Sequence, residues 1–97
     1  MKDGIKDSDK TFIINKIKTF FPSAKIIVFG SRLTPKFRNY SDLDICLDDN
    51  RPLDLVKLSY LEEALTQSDI LYKVDIVDWN RVTKEFQKII LERHEEW

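Results

Sequence analysis

Apolar positions along this chain fall into six short patterns. From about Ser8, residues Ile13, Ile17, Phe20 and Phe21 share one face of a helical repeat, with Phe12 and Ile14 beside it. Pro22 ends that helix, because proline cannot continue the hydrogen-bond ladder. Lys25 to Phe29 (KIIVF) is rich in β-branched residues, reads as a buried strand, and runs straight into Gly30-Ser31. Residues 32–40 are polar and basic around Pro35, which fits a loop or a short helix. Asp42 to Leu47 then alternates strictly, with Leu43, Ile45 and Leu47 on one face and Asp42, Asp44 and Cys46 on the other. Asp49 to Pro52 reads as a turn that opens a second helix, Pro52 suiting its first position. Leu55, Leu58, Leu61 and Leu65 form the stripe of that helix, and Glu62 and Glu63 lie off it. Tyr72 to Val77 is a third strand, with Tyr72, Val74 and Ile76 opposed to Lys73, Asp75 and Val77. A last helix spans about Thr83 to Arg93 with Phe86, Ile89 and Ile90 inward.

The order is therefore helix, strand, strand, helix, strand, helix. A helical connection between the second and third strands fits a parallel pair. The expectation is an α/β (α+β) fold: a small mixed β-sheet with helices packed on one face. A length of 97 residues suits one domain over 1–97, with polar residues 1–7 frayed. Hydrophobic residues make up 42% of the chain, enough for a core. Charged residues make up 34% but nearly cancel to a net −1, which argues against bulk nucleic-acid binding. The single cysteine, Cys46, excludes an internal disulfide. No apolar stretch approaches the ~20 residues of a membrane span, and the charged start MKDGIKDSDK has no apolar run behind it. The expected location is cytoplasmic, with no membrane partner.

Rare residues exclude several chemistries. Gly4 and Gly30 are the only glycines, so neither a P-loop nor a dinucleotide fingerprint can form. One histidine and one cysteine cannot build a structural zinc site. A metal would have to sit on carboxylates, which favours Mg²⁺ or Mn²⁺. Asp42 and Asp44 lie two apart on a strand, so their carboxylates share a face about 7 Å apart along the backbone. Such like charges disfavour ionisation unless a cation neutralises them. An Asp-x-Asp pair also occurs on ordinary solvated strand faces. Asp75 sits between Val74 and Ile76 in its own strand, so neighbouring strands would bring three carboxylates together. Gly30 lets a backbone approach a ligand closely, and Ser31 adds a hydroxyl donor, although an isolated Gly-Ser is more often a plain turn. Arg32, Lys36 and Arg38 follow, as partners for a triphosphate or as a solvated basic loop.

Gly30-Ser31, ten residues (32–41), then Asp42-Leu43-Asp44 resembles the GS-x10-DxD motif of the DNA polymerase beta-like nucleotidyltransferase superfamily. The strings FGSR, YSDLDI and KVDIVDW together resemble its minimal nucleotidyltransferase (MNT) group, antitoxin partners of HEPN toxins, over about residues 10–92. The resemblance implies the nucleotidyltransferase fold and a two-metal mechanism. Asp42 and Asp44 would bridge two Mg²⁺ ions, and Asp75 would ligate one and orient or deprotonate the attacking hydroxyl. Gly30 and Ser31 would hold the phosphates of ATP, with Arg32 and Lys36 beside them. The activity implied is AMP transfer from ATP to a hydroxyl, most simply a tyrosine of a HEPN partner in a hetero-oligomer, making the chain a protein adenylyltransferase and antitoxin. A binding module that masks its partner by contact and a small-molecule nucleotidyltransferase remain the alternatives. Asp78 is a weaker candidate than Asp75, being of opposite strand parity and near a turn. Cys46 reads as a packed thiol rather than a nucleophile, and His94 as the charged end of the last helix without a catalytic partner. Trp79, Trp97 and Tyr40 suit either core or interface.

Overall fold

The computed structural model describes residues 5–30 and 42–97. Ser31, Arg32, Lys36, Arg38 and Tyr40, all singled out above, lie outside the described residues.

Helix α1 (Asp7–Phe20) opens with Asp7 and Asp9 and closes with Lys18, charges that complement the helix dipole at each end. Ile13 and Ile17 are its buried positions. Residues 1–7 were expected to fray, yet Ile5 is buried in the core and Asp7 already belongs to α1. Strand β1 (Lys25–Phe29) pairs antiparallel with β2 (Leu43–Asp48), and β2 pairs parallel with β3 (Val74–Asp78). Helix α2 (Leu55–Thr66) makes the crossover between β2 and β3, as a parallel pair requires. After helix α3 (Lys84–Glu92), a short strand β4 (His94–Glu96) pairs antiparallel with the free edge of β1. The sheet order is β3-β2-β1-β4. No helix among the described residues is long and apolar enough to cross a membrane.

The main core lies between the sheet and helices α1 and α2. It joins Ile13 and Ile17 to Ile26, Val28, Leu43, Ile45 and Leu47, and to Leu61 and Leu65. Alternation sends the remaining strand residues to the other face, where Ile27, Phe29 and Cys46 pack with Ile90 and Phe86 of α3. The mixed sheet is as expected, but its helices are not all on one face. The apolar residues of α3 cover the face that carries the aspartates.

Two helix stripes also differ from expectation. Leu55 is exposed, and Leu53 is buried in its place. Asp54, not the turn before Pro52, caps the helix: its Oδ1 accepts from the N–H groups of Val56 and Lys57 at 2.9 and 3.1 Å. Leu55 thus falls in the first turn, where successive 100° steps carry it off the Leu58–Leu61–Leu65 face. In α3, capped by Thr83 Oγ1, Ile90 is buried while Ile89 points outward.

Candidate active site

Asp44 is held in place by its neighbours in sequence. Leu43 and Ile45 are fully buried on the α1/α2 side, so Asp44 must project to the opposite face. Across the ladders it lies directly between Phe29 of β1 and Asp75 of β3. Phe29 is in turn opposite His94 of β4, so Asp75, Asp44, Phe29 and His94 form one row across four strands. The two sequence-predicted aspartates are therefore immediate neighbours, about 4.8 Å apart at the backbone by strand spacing. Asp42 stands one residue before β2, exposed to solvent.

Gly30 ends β1 at φ +89°, a left-handed conformation that glycine tolerates. A Cβ here would overlap Asp44 Oδ2, so the absence of a side chain is what lets the backbone at the end of β1 lie against the carboxylate. Phe29 is held from the other side by an edge-to-face contact with Phe86, ring centroids 6.0 Å apart.

Electrostatics mark Asp44. Burial raises its pKa above the usual carboxylate value of 3.8, and the charges of Asp75 and Asp42 push it further the same way. Asp75 has a counter-charge: Lys73 Nζ lies 3.2 Å from its Oδ1. The hydrogen bond and charge of Asp75, followed by the charge of Asp42, raise the pKa of exposed Lys73. Among the described residues, no three His, Cys, Asp or Glu side chains are arranged as a ready metal cage. The donor chemistry nevertheless fits a hard divalent cation. Carboxylate oxygens are its preferred ligands, and Asp44 carries like-charge repulsion that a cation would relieve.

The other sequence candidates separate cleanly. Asp78 is structural: its buried carboxylate accepts from Leu53 N at 2.8 Å, Asn80 N at 3.0 Å and Arg81 Nη1 at 3.0 Å. Cys46 is fully buried, and burial first, then Asp48 and Asp78, pushes its thiol up to about 12, which keeps it un-ionised and unreactive. Trp79 and Trp97 both pack against core clusters. His94 leaves the helix end assigned to it and joins β4 on the aspartate face, its Nδ1 3.0 Å from Leu91 O. The sequence carried no signal for this, since a three-residue His-Glu-Glu strand has no periodicity to read. Lys73 was likewise passed over, although its parity with Asp75 placed it on the same face. Two clefts lie elsewhere, one bordered by Phe20, Pro22, Arg51 and Lys57, the other by Phe12, Lys16, Gln67 and Ile70; neither contains a candidate residue.

A family model described as polymerase beta, nucleotidyltransferase, matches residues 12–96. The chain belongs to this nucleotidyltransferase family. Proteins of the MNT group are among its relatives and structural neighbours. The probable protein adenylyltransferase MntA of Haemophilus influenzae is 33% identical over 86 residues, 89% of this chain and 75% of that protein. Among solved structures, a toxin–antitoxin complex with AMP-PNP contains a chain that superposes with a TM-score of 0.77 at 23% identity, covering 92% of this chain and 73% of that one. A second, the tri-AMPylated Shewanella oneidensis HEPN toxin in complex with its MNT antitoxin, gives a TM-score of 0.70 at 24% identity, over 91% and 68% of the two chains. At these identities the structural matches establish the nucleotidyltransferase fold, which is the fold expected from the motif.

Proposed function

We propose that this chain is a Mg²⁺-dependent adenylyltransferase that moves AMP from ATP to a hydroxyl, most simply a tyrosine of a HEPN partner toxin, and thereby acts as its antitoxin. The observation that carries the reading is the pairing of Asp44 with Asp75 on adjacent parallel strands, with Gly30 packed against Asp44 at the end of β1. The adenylyltransferase name of the Haemophilus relative supports it, as do the AMP-PNP and AMPylated toxin in the two complexes.

In this reading Asp42, Asp44 and Asp75 would hold two Mg²⁺ ions, and Gly30 and Ser31, with Arg32 and Lys36, would hold the triphosphate. Bound Mg²⁺ would supply positive charge to the phosphate oxygens. The residues themselves do the positioning. Gly30 brings the end of β1 within contact of Asp44. Asp75 accepts the proton of the acceptor hydroxyl as its oxygen bonds to the α-phosphorus, and the bond from that phosphorus to pyrophosphate breaks.

Asp75→Asn tests the reading with the purified pair of proteins and labelled ATP. Labelling of the partner should fall by about a thousandfold or more, while Mg²⁺-ATP binding stays within about tenfold and the protein complex persists. Neutralisation of the toxin in a growth assay should be lost together with labelling. A variant that neutralises as well as the wild type would mean that contact, not AMP transfer, protects the cell.

A further inference from the structure

Among the described residues, Lys73 forms an ion pair with the aspartates of this face, through Asp75, and neither the catalytic reading nor the phosphate reading uses it. It precedes β3 with the same strand parity as Asp75, and its carbonyl accepts the first bond of the β2–β3 ladder from Leu43 N at 2.8 Å. That bond holds Lys73 beside the start of β2, next to Asp42. Its Nζ is 3.2 Å from Asp75 Oδ1, and its side chain is 71% exposed against 36% for Asp75.

We propose that Lys73 is a positioning residue that serves as a built-in counter-ion: it occupies the carboxylate site in the metal-free protein and is displaced when a divalent cation binds. The proposal rests on the metal site assigned above and adds its regulation. A bound divalent cation sits about 2 Å from its carboxylate oxygen, so an ammonium 3.2 Å from that same oxygen would stand within about 5 Å of the metal. Two cations at that range repel, so binding of the metal favours displacement of Lys73. Lys73 can leave at little cost, because it is a flexible four-carbon stem already facing water. The pair therefore keeps Asp75 neutralised and oriented until metal arrives, and it weakens metal binding in the absence of nucleotide.

The test is calorimetric titration of the full chain with Mn²⁺ alone, using the wild type, Lys73→Gln, Lys73→Arg and Asp44→Asn. Removing an exposed competing ion pair should tighten Mn²⁺ binding by Lys73→Gln about two- to fivefold, while Lys73→Arg retains wild-type affinity. Melting curves without metal should show Lys73→Gln folded, and saturating Mn²⁺ should raise its midpoint more than that of the wild type. Mn²⁺ binding that Asp44→Asn weakens but Lys73→Gln leaves unchanged or weakens would overturn the counter-ion role and leave the metal site standing. Binding that Asp44→Asn does not weaken would overturn the metal site itself, and the role of Lys73 with it.

Discussion

Replacing Gly30 with alanine probes the join between fold and site. The substitution carries two separable costs. A residue with a side chain at φ +89° costs about 1–2 kcal/mol from backbone sterics alone. The new Cβ also runs into Asp44 Oδ2, with Asp44 Cγ and Cβ at 3.1 and 3.2 Å behind it. The first atom met is the end of a carboxylate, so the clash is relieved by swinging Asp44 away from its rotamer, at about 0.5–1.5 kcal/mol. Together these give about 1.5–3.5 kcal/mol, and at about 4–8 °C per kcal/mol for a domain of this size the melting midpoint should fall by at least about 6 °C. The two parts separate in a cycle with Asp44→Ala. Without the carboxylate only the backbone cost should remain, so the double variant should be more stable than additivity predicts by about 0.5–1.5 kcal/mol. Thermal melts of the four proteins measure this, and Mn²⁺ titration of Gly30→Ala should show weakened binding because Asp44 has been turned. Additive losses, or a Gly30→Ala midpoint within about 2 °C of wild type, would show that the glycine is not there to admit Asp44.

Two further substitutions distinguish charge that serves the site from charge that serves the fold. Asp44 has its folded pKa raised, so its ionisation opposes folding: the stability it contributes is full below 3.8 and is lost as pH rises through the raised value. In metal-free buffer Asp44→Asn should therefore match the wild type in acid and melt higher at neutral pH, and melts at several pH values that show a lower neutral midpoint would refute this. Asp78→Ala should cost about 2–4 kcal/mol, because it strands the buried N–H of Leu53 and removes the anchor of Arg81; equal losses from Asp78→Ala and Asp75→Ala in denaturant melts would contradict the structural role given to Asp78.

What could be read from the sequence was whatever depends on local alternation. β1 was bounded to the residue, and the parity of β2 and β3 placed Asp44, Cys46, Asp75 and Val77 on one face because β2 alternates with buried Leu43, Ile45 and Leu47, and β3 with Val74 and Ile76 packed on the same core. The parallel β2–β3 pair followed from the helix between them. What escaped depends on partners distant in sequence. β4 exists because the edge of β1 offers unpaired backbone groups to three polar residues far along the chain, with Val28 opposite Glu95 and Phe29 opposite His94. The side of the sheet taken by α3 depends on Ile90 and Phe86 finding Ile27, Phe29 and Cys46, which no periodicity within the helix can reveal. Leu55 was misread for a local reason: the helix start was set at Pro52, whereas the cap hydrogen bonds belong to Asp54.

The placement of the carboxylates is a by-product of core packing, and this gives the site its rigidity. Leu43, Ile45 and Leu47 are each fully buried against α1 and α2. A one-residue slip of β2 would put Asp44 and Asp48 into that core and turn three apolar side chains outward, at a cost of several kcal/mol for the exposed leucine and isoleucine surface alone. The register that sets Asp44 opposite Asp75 is therefore fixed by residues that never touch the site. The same register holds two charges, Asp44 on β2 and Asp75 on β3, close together, and without a counter-ion they repel. The core supplies the energy to keep them adjacent, Lys73 neutralises one of them, and Asp44 remains as the carboxylate whose ionisation the fold resists. A cation at this position would relieve that resistance directly, so metal binding and folding stability should be coupled most strongly through Asp44.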